Sequence, residues 1–227
     1  MSRFSAILFD LDGTLLDTAP DFIWCLNTQR ARHSLPQLDE HSIRRVVSNG
    51  ARGLVQLGFG LRPGDHGYDD RHAELLELYI SHIAVHTRLF PGLAEVLAHL
   101  EAKQVPWGIV TNKASQYTLK LLEDMDLLKR CASVICPDHV ANTKPDPEPV
   151  LLAAEQIGVA PETCLYAGDH RRDIESGLAA GMTTVAARYG YLGADENVAD
   201  WNAHHIIDHG RELFHLIDTH RPETDSA

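Results

Sequence analysis

Short apolar runs alternate with amphipathic segments over the second half of the chain. Runs of four or five apolar residues are typical of buried strands, and apolar residues at every third or fourth position are typical of helices. The predicted strands are Ser5–Asp10, Trp107–Thr111, Ala132–Cys136, Thr163–Ala167, Thr183–Ala187 and His205–Ile207. The predicted helices between and after them are Leu93–Lys103, Ser115–Met125, Glu148–Ile157, Asp173–Ala180 and Glu212–Ile217. This alternation indicates the α/β fold class, with a doubly wound parallel sheet.

The stretch after the first predicted strand contains only helical patterns. A helix is expected to begin at Thr18, with Thr18 as its N-cap and Pro20 in its first turn. Further helices are predicted over Ser42–Val47, Leu54–Phe59 and Asp70–Ile83, with glycines between them. An all-helical stretch inside an alternating pattern predicts an insertion into the core. We therefore expect an α-helical cap domain at residues 18–87, a core of residues 1–17 and 88–221, and a tail at 222–227.

Composition and charge narrow the class of protein. The 227 residues are 44% hydrophobic and 23% charged, which is typical of a globular chain. The formal net charge of −12 argues against nucleic-acid and anionic membrane partners, which need clustered basic residues. Taken alone, it also argues against an anionic substrate. The four cysteines form no CxxC pair, and no secretory signal is recognisable, so we expect a cytoplasmic protein, either a monomer or a homodimer.

Four polar clusters lie at the ends of predicted strands or in the loops that follow them. Ligands of doubly wound sheets bind beyond the carboxyl ends of the strands, so these clusters are the candidates for a site. They are DLDGT from Asp10, TNK from Thr111, TKPDP around Lys144, and GDHRRD up to Asp173.

The first cluster places two carboxylates where a strand ends. Asp10 and Asp12 are two residues apart, so both side chains can project toward one site, and Gly13 allows a sharp turn after them. Two neighbouring carboxylates repel each other unless a proton or cation compensates, and oxygen ligands suit Mg²⁺. The alternative is an aspartate-rich turn that caps a helix.

Each of the other clusters also has two interpretations. Thr111 and Asn112 precede a predicted helix, where they can cradle an anion or simply cap the helix. Lys144 can neutralise a carboxylate or a phosphate, or lie on the surface of a proline-rich loop. Asp169 and Asp173 can face one metal ion, or Asp173 can favour the first turn of a helix.

The four clusters together, in this order, resemble the motifs of the haloacid dehalogenase-like hydrolase superfamily. The resemblance covers nearly the whole chain and implies that residues 18–87 are the mobile cap of that family. It implies that Asp10 is the nucleophile that forms an aspartyl-phosphate and that Asp12 is the general acid and base. Thr111 and Lys144 match residues that bind and neutralise the phosphoryl group, and Asn112 beside Thr111 is a further candidate for binding the substrate. Asp10, Asp169 and the backbone carbonyl of Asp12 match the Mg²⁺ ligands, and Asp173 matches an acid that supports them.

Longer stretches of sequence point to a branch of that superfamily. The chain is similar to its phosphoglycolate phosphatase-like branch, and four segments look like the N-acetylmuramic acid 6-phosphate phosphatases of bacterial cell-wall recycling. These segments are Asp17–Phe22, Cys136–Pro149, Arg172–Gly177 and Arg188–Tyr191. The resemblance implies a Mg²⁺-dependent phosphomonoester hydrolase whose partner is a small phosphorylated sugar. Phosphoglycolate phosphatase activity and a sugar phosphomutase or phosphotransferase remain the alternatives.

The resemblance also removes the objection from net charge. Lys144 and a bound Mg²⁺ would offset all but one of the four carboxylate charges at the site, and a proton on Asp12 would offset the last.

In the cap, Arg52 lies between Gly50 and Gly53 and is a candidate substrate contact or a solvated surface arginine. His82 and His86 are four residues apart on a predicted helix, but zinc needs more ligands than these two.

Overall fold

The structure is a computed structural model that describes residues 2–193 and 196–218. The predicted tail at 222–227 lies outside the described residues, as do the last three residues of the predicted core. The elements up to residue 110 are β1 (Ala6–Phe9), β2 (Leu16–Asp17), α1 (Ala19–Arg32), α2 (Glu40–Arg44), α3 (Gly50–Phe59), α4 (Tyr68–His82), β3 (Arg88–Leu89), α5 (Leu93–Ala102) and β4 (Trp107–Val110). They are followed by α6 (Ser115–Asp124), β5 (Ser133–Ile135), α7 (Glu148–Ile157), β6 (Cys164–Gly168), α8 (Arg171–Ala179), β7 (Thr183–Ala187), β8 (His205–Ile207) and α9 (Leu213–Asp218).

Six strands form one parallel sheet in the order β5-β4-β1-β6-β7-β8, which confirms the predicted fold class. β1 lies between β4 and β6, with Ile7 opposite Trp107 on one side and Leu165 on the other. The chain builds the sheet outward from β1 in one direction and then in the other. A crevice forms at such a reversal, beyond the carboxyl ends of the strands.

Both faces of the central strand are buried. Ile7 and Phe9 of β1 belong to one apolar cluster, and Ala6 and Leu8 belong to another on the opposite face. Successive side chains of a strand point to opposite faces, so a strand covered on both sides is apolar throughout. This is why the strands were predicted from continuous apolar runs rather than from alternation.

Helices α1 to α4 pack against one another between β2 and β3. The ring of Phe22 in α1 stacks on that of Tyr79 in α4, with centroids 4.1 Å apart and planes inclined by 7°. The bounds of α2 differ from the predicted Ser42–Val47, because the carboxylate of Asp39 accepts hydrogen bonds from the backbone N–H groups of His41 and Ser42 and starts the helix earlier.

A short antiparallel pair, β2 with β3, was not predicted. Leu16 pairs with Leu89 and Asp17 with Arg88, so the pair joins the segments on either side of the four helices. Two-residue strands are too short to produce a periodic pattern. The predicted N-cap of α1 is wrong in one respect, because the Thr18 hydroxyl makes no capping bond and instead donates to Asp12 Oδ1 at 2.6 Å.

Within the described residues, no helix combines the length and the apolar character that crossing a bilayer requires.

Candidate active site

The predicted polar clusters meet at the carboxyl edge of the sheet. Asp10 follows β1, Thr111 follows β4, Lys144 lies in the loop after β5, and Asp169 follows β6. Asp10, Thr111 and Lys144 border a cavity of about 600 Å³ between the sheet edge and helices α1, α3 and α4. The lining residues are Asp10, Asp12, Phe22, Val47, Ser48, Asn49, Gly50, Ala51, Arg52, His72, Leu76, Tyr79, Thr111, Asn112, Lys113, Ala114, Gln116, Tyr117, Lys144 and Arg172.

Lys144 is buried at the bottom of the site between two carboxylates. Its Nζ lies 2.8 Å from Asp10 Oδ1 and 2.7 Å from Asp173 Oδ1, and it also donates to the hydroxyl of Tyr166 at 2.9 Å. Burial alone lowers the pKa of the Lys144 ammonium, but Asp10 and Asp173 outweigh burial and raise it. The side chain therefore stays charged and can neutralise an anion.

The carboxylates of the site are not fully balanced by this one ammonium. Burial raises the pKa of Asp10 to about 6, although Lys144 lowers it. Burial also raises the pKa of Asp169 well above its usual value, and Asp10 and Asp173 raise it further. Oxygens of these three carboxylates lie within 4.8 Å of one another. A buried group of oxygen donors with excess negative charge fits a hard divalent cation.

Asp169 is held in place by the loop after β1 and by the chain after β7. Its Oδ1 accepts from the Thr14 hydroxyl at 3.0 Å, and its Oδ2 accepts from the Tyr191 backbone N–H at 2.8 Å. Gly13 has a φ of +91°, and a Cβ there would overlap both Asp169 Oδ2 and the Tyr191 ring. The turn after Asp12 therefore requires glycine for its conformation and for the close approach of Asp169.

Asp12 is bound by two groups from different parts of the chain. Thr18 donates to it, and Lys113 Nζ lies 3.0 Å from its Oδ1 and 3.2 Å from its Oδ2. The same ammonium lies 4.7 Å from the ring centroid of Phe22 and 4.6 Å from that of Tyr79. Lys113 thus connects an acid of the core to two aromatic rings of α1 and α4.

The residues after β4 present polar groups to the cavity. Thr111 Oγ1 accepts the Lys113 backbone N–H at 3.1 Å, which leaves its own proton available for an anion. Asn112 Nδ2 donates to the Lys144 carbonyl at 3.2 Å and so ties this loop to the one that carries the buried lysine.

The other basic residues near the site have different environments. Arg52 is exposed and lines the cavity, whereas Arg44 pairs with Asp17 at 2.8 Å and is not among the lining residues. His170, between the two acids of the fourth cluster, accepts the Arg172 backbone N–H at 3.3 Å and caps α8.

The structure adds Asp21 to the pair His82 and His86, with Asp21 Oδ1 lying 3.8 Å from His82 Nε2. The Asp21 carboxylate already accepts the backbone N–H of His86 at 2.7 Å, and the backbone N–H and hydroxyl of Thr87 at 3.1 and 2.6 Å. These bonds give Asp21 a structural role in holding the segment before β3.

Sequence reasoning missed several residues of this site. It grouped Lys113 with Thr111 and Asn112 but gave it no role, and it did not single out Tyr166 or Tyr191 as site residues. Tyr166 stands in the otherwise apolar segment Cys164–Gly168, and a lone hydroxyl there was the available signal. For Lys113 the signal was a charged side chain directly after Thr111 and Asn112, the two residues predicted to bind an anion.

Comparison with known proteins agrees with this geometry. The family profile described as haloacid dehalogenase-like hydrolase matches residues 7–187. An N-acetylmuramic acid 6-phosphate phosphatase of Pseudomonas putida is 45% identical over 217 residues, which cover 96% of this chain and 97% of that protein. A phosphoglycolate phosphatase of Xanthomonas campestris is 37% identical over 209 residues, which cover 92% of this chain and 94% of that protein.

A solved structure shows the same fold. The crystal structure of a predicted phosphoglycolate phosphatase from Haemophilus somnus superposes with a TM-score of 0.84 at 24% identity, covering 95% of this chain and 99% of that one. With a family profile that spans most of the chain and relatives similar over nearly their whole length, this chain belongs to the haloacid dehalogenase-like hydrolase family and is a phosphatase.

Proposed function

We propose that this phosphatase is a Mg²⁺-dependent phosphomonoester hydrolase that forms an aspartyl-phosphate on Asp10, with N-acetylmuramic acid 6-phosphate as its substrate. The observation that carries the proposal is the position of Asp10, whose carboxylate lies beside the buried Lys144 at the edge of a cavity that Asp12 also lines. The similarity to an N-acetylmuramic acid 6-phosphate phosphatase supports the substrate.

The side chains have complementary tasks in this reaction. Asp10 attacks the phosphorus and later releases phosphate, which divides hydrolysis into two easier steps. Lys144, Thr111 and Asn112 bind and neutralise the oxygens of the phosphoryl group as charge develops on them. Asp12 donates a proton to the leaving oxygen and then accepts a proton from the attacking water.

The acidic residues supply a place for the metal ion. Asp10, Asp169 and the backbone carbonyl of Asp12 would hold Mg²⁺, and Asp173 supports the site by binding Lys144. When bound, Mg²⁺ offsets the negative charge that otherwise keeps an anionic nucleophile from an anionic phosphate.

The cavity supports a substrate of sugar size. Its volume of about 600 Å³ lies within the range of small-molecule sites, and the aromatic rings of Phe22, Tyr79 and Tyr117 line it together with Arg52. Aromatic rings cover apolar faces of a sugar, and we propose Arg52 as a contact to its polar groups.

The same proposal includes the organisation of the chain. We propose that residues 18–87 form the cap and that the pair β2 and β3 connects it to the core, since both crossing segments run through this pair. We also propose a cytoplasmic location, which the four free cysteines support.

The experiment that tests this function compares two substrates with and without the metal. Purified protein is assayed for phosphate release from N-acetylmuramic acid 6-phosphate and from 2-phosphoglycolate, each with Mg²⁺ and with a chelator. We expect a higher kcat/KM for the sugar phosphate and loss of both activities in chelator.

Three other outcomes have definite meanings. A preference for 2-phosphoglycolate would select the second candidate, which the Xanthomonas relative favours. Activity that survives the chelator would contradict the metal assignment. Release of phosphate without a sugar acceptor is expected, and its failure would indicate a phosphomutase or phosphotransferase.

A further inference from the structure

Two lysines and two arginines line the cavity, and both lysines are already paired. Lys144 lies between Asp10 and Asp173, and Lys113 pairs with Asp12. Arg52 and Arg172 have no carboxylate within 4.0 Å among residues 2–193 and 196–218. An arginine that faces a cavity without an acidic partner is available to an anionic ligand.

Arg172 is held in a fixed position at the boundary between core and cap. It lies in the first turn of α8, one residue before Asp173, and its Nη2 donates to the carbonyl oxygen of Ser48 at 2.6 Å. This is the only side-chain hydrogen bond that Arg172 makes within the described part of the chain. A guanidinium has five N–H donors, so most of its donors remain for a ligand in the cavity.

Arg172 is better placed for an ion pair than Arg52. Its side chain is half-buried and anchored by Ser48, whereas Arg52 is exposed to solvent. Charge pairs strengthen as water is excluded, and an anchored group loses less rotamer entropy when it binds.

The substrates named for the two kinds of relative share one chemical feature besides the phosphate. N-acetylmuramic acid 6-phosphate and phosphoglycolate are both carboxylic acids. Resting on the proposed function, we propose that Arg172 binds the carboxylate of the substrate while Lys144 and Thr111 bind its phosphate. The planar fork of a guanidinium matches a carboxylate with two parallel hydrogen bonds. The site would then select phosphate esters that are also carboxylic acids.

The test measures selectivity between esters that differ only in the carboxylate-bearing group. One pair is N-acetylmuramic acid 6-phosphate with N-acetylglucosamine 6-phosphate, and the other is 2-phosphoglycolate with 2-hydroxyethyl phosphate. The variants are Arg172→Gln and Arg172→Lys. The matched control is Arg171→Gln, because Arg171 is the exposed neighbour and does not line the cavity.

We expect Arg172→Gln to lower the ratio of kcat/KM for the acid over its neutral counterpart by about tenfold or more. Arg172→Lys keeps the charge but not the fork, so an intermediate ratio is expected. Arg171→Gln should keep the wild-type ratio. A general defect in folding would lower both rates and leave the ratio in place, which separates it from loss of a carboxylate contact.

The proposal would be overturned if Arg172→Gln and Arg172→Lys kept the same ratio of kcat/KM, acid over neutral ester, as Arg171→Gln. If Arg172→Gln does not fold, the ratio measured for Arg172→Lys decides alone. A preference for phosphoglycolate would instead defeat the proposed substrate, and the second ester pair would still report on Arg172. The dissociation constants of all four esters on an Asp10→Asn background provide the same ratio without turnover. These dissociation constants test the role of Arg172 even if the proposed mechanism of hydrolysis is wrong.

Discussion

Asp10 shows the conflict between stability and reactivity at a single residue. Its carboxylate is buried beside other acids, and burial raises its pKa to about 6 from a usual value of 3.8. Such a group is destabilising whenever it is ionised in the metal-free fold. Asp10 loses its proton at a higher pH in the folded protein than in the unfolded chain. The free energy of unfolding therefore falls as the pH rises from about 4 to 6.

Replacing Asp10 by Asn therefore should abolish turnover and stabilise the metal-free protein. The amide cannot attack phosphorus. The substitution removes a buried charge and weakens one hydrogen bond with Lys144. We expect the free energy of unfolding at pH 7.5 to rise by up to about 3 kcal/mol, since two pKa units correspond to that amount. Denaturant unfolding of wild type and Asp10→Asn in chelator, at pH 4 and pH 7.5, measures the difference.

The increase in the free energy of unfolding of Asp10→Asn should nearly vanish at pH 4, where the Asp10 carboxyl of the folded wild-type protein is protonated. A variant no more stable than wild type at pH 7.5 would show that the pair with Lys144 outweighs burial. Wild-type turnover in Asp10→Asn would contradict the nucleophile assignment.

At the scale of elements, the loop between β4 and α6 connects the carboxyl edge of the sheet to the helices between β2 and β3. Lys113 in that loop binds Asp12 with its ammonium, and the same group lies over Phe22 of α1 and Tyr79 of α4. The positions of α1 and α4 are thereby linked to the orientation of the proposed general acid. A cation over an aromatic ring contributes about 0.5–2 kcal/mol, the larger values applying when it is desolvated.

Lys113→Met should slow the reaction most when the leaving group needs a proton. Asp12 loses the contact that orients it, so we expect kcat/KM for an alkyl phosphate ester to fall by about tenfold or more. The fall should be smaller for p-nitrophenyl phosphate, whose leaving group departs without protonation. Steady-state kinetics with both esters provides the comparison.

Two further variants separate the two contacts of Lys113. Phe22→Leu removes a ring and keeps the pair with Asp12, so it should lower both activities by similar factors. Lys113→Arg should recover part of the kcat/KM for the alkyl phosphate ester that Lys113→Met loses. Equal losses on both esters in Lys113→Met would mean that the lysine holds the cap and does not orient Asp12.

Over the whole molecule, the net charge of −12 and the charge of the cavity have separate consequences. Salt screens exposed charges beyond about 8–10 Å, so the surface contributes little inside the site. Around the cavity, Lys113 and Lys144 would offset half of the charge of Asp10, Asp12, Asp169 and Asp173 with all four ionised, and Arg52 and Arg172 face the cavity outside these pairs. A divalent cation would offset the remainder, so affinity for phosphate should depend on the metal.

We expect inorganic phosphate to bind at least about tenfold more weakly in chelator than with Mg²⁺, because uncompensated carboxylates repel it. Isothermal titration calorimetry of the wild-type protein under both conditions measures the two dissociation constants. Asp169→Asn serves as the comparison, since it removes one proposed ligand and one negative charge. Equal affinity in both conditions would show that the two lysines and the cavity arginines suffice without a metal.

The sequence by itself determined the elements whose signals are local. Thr183–Ala187, His205–Ile207 and Glu148–Ile157 were predicted with the bounds observed, because a buried strand or an amphipathic helix shows its pattern within its own residues. Alternation of these elements implied the parallel sheet, and the sheet implied that Asp10 and Asp169 lie at one edge. Their chemical roles remain predictions.

Only the tertiary structure decided how the parts meet. The pairs Lys113 with Asp12 and Arg172 with Ser48 join residues about a hundred or more positions apart, and the pair β2 with β3 brings together segments on either side of four helices. Periodicity reports which face of an element is buried and carries no information on which distant side chain covers it. Those contacts depend on how the helical insertion packs over the sheet edge, and packing is a property of the whole chain.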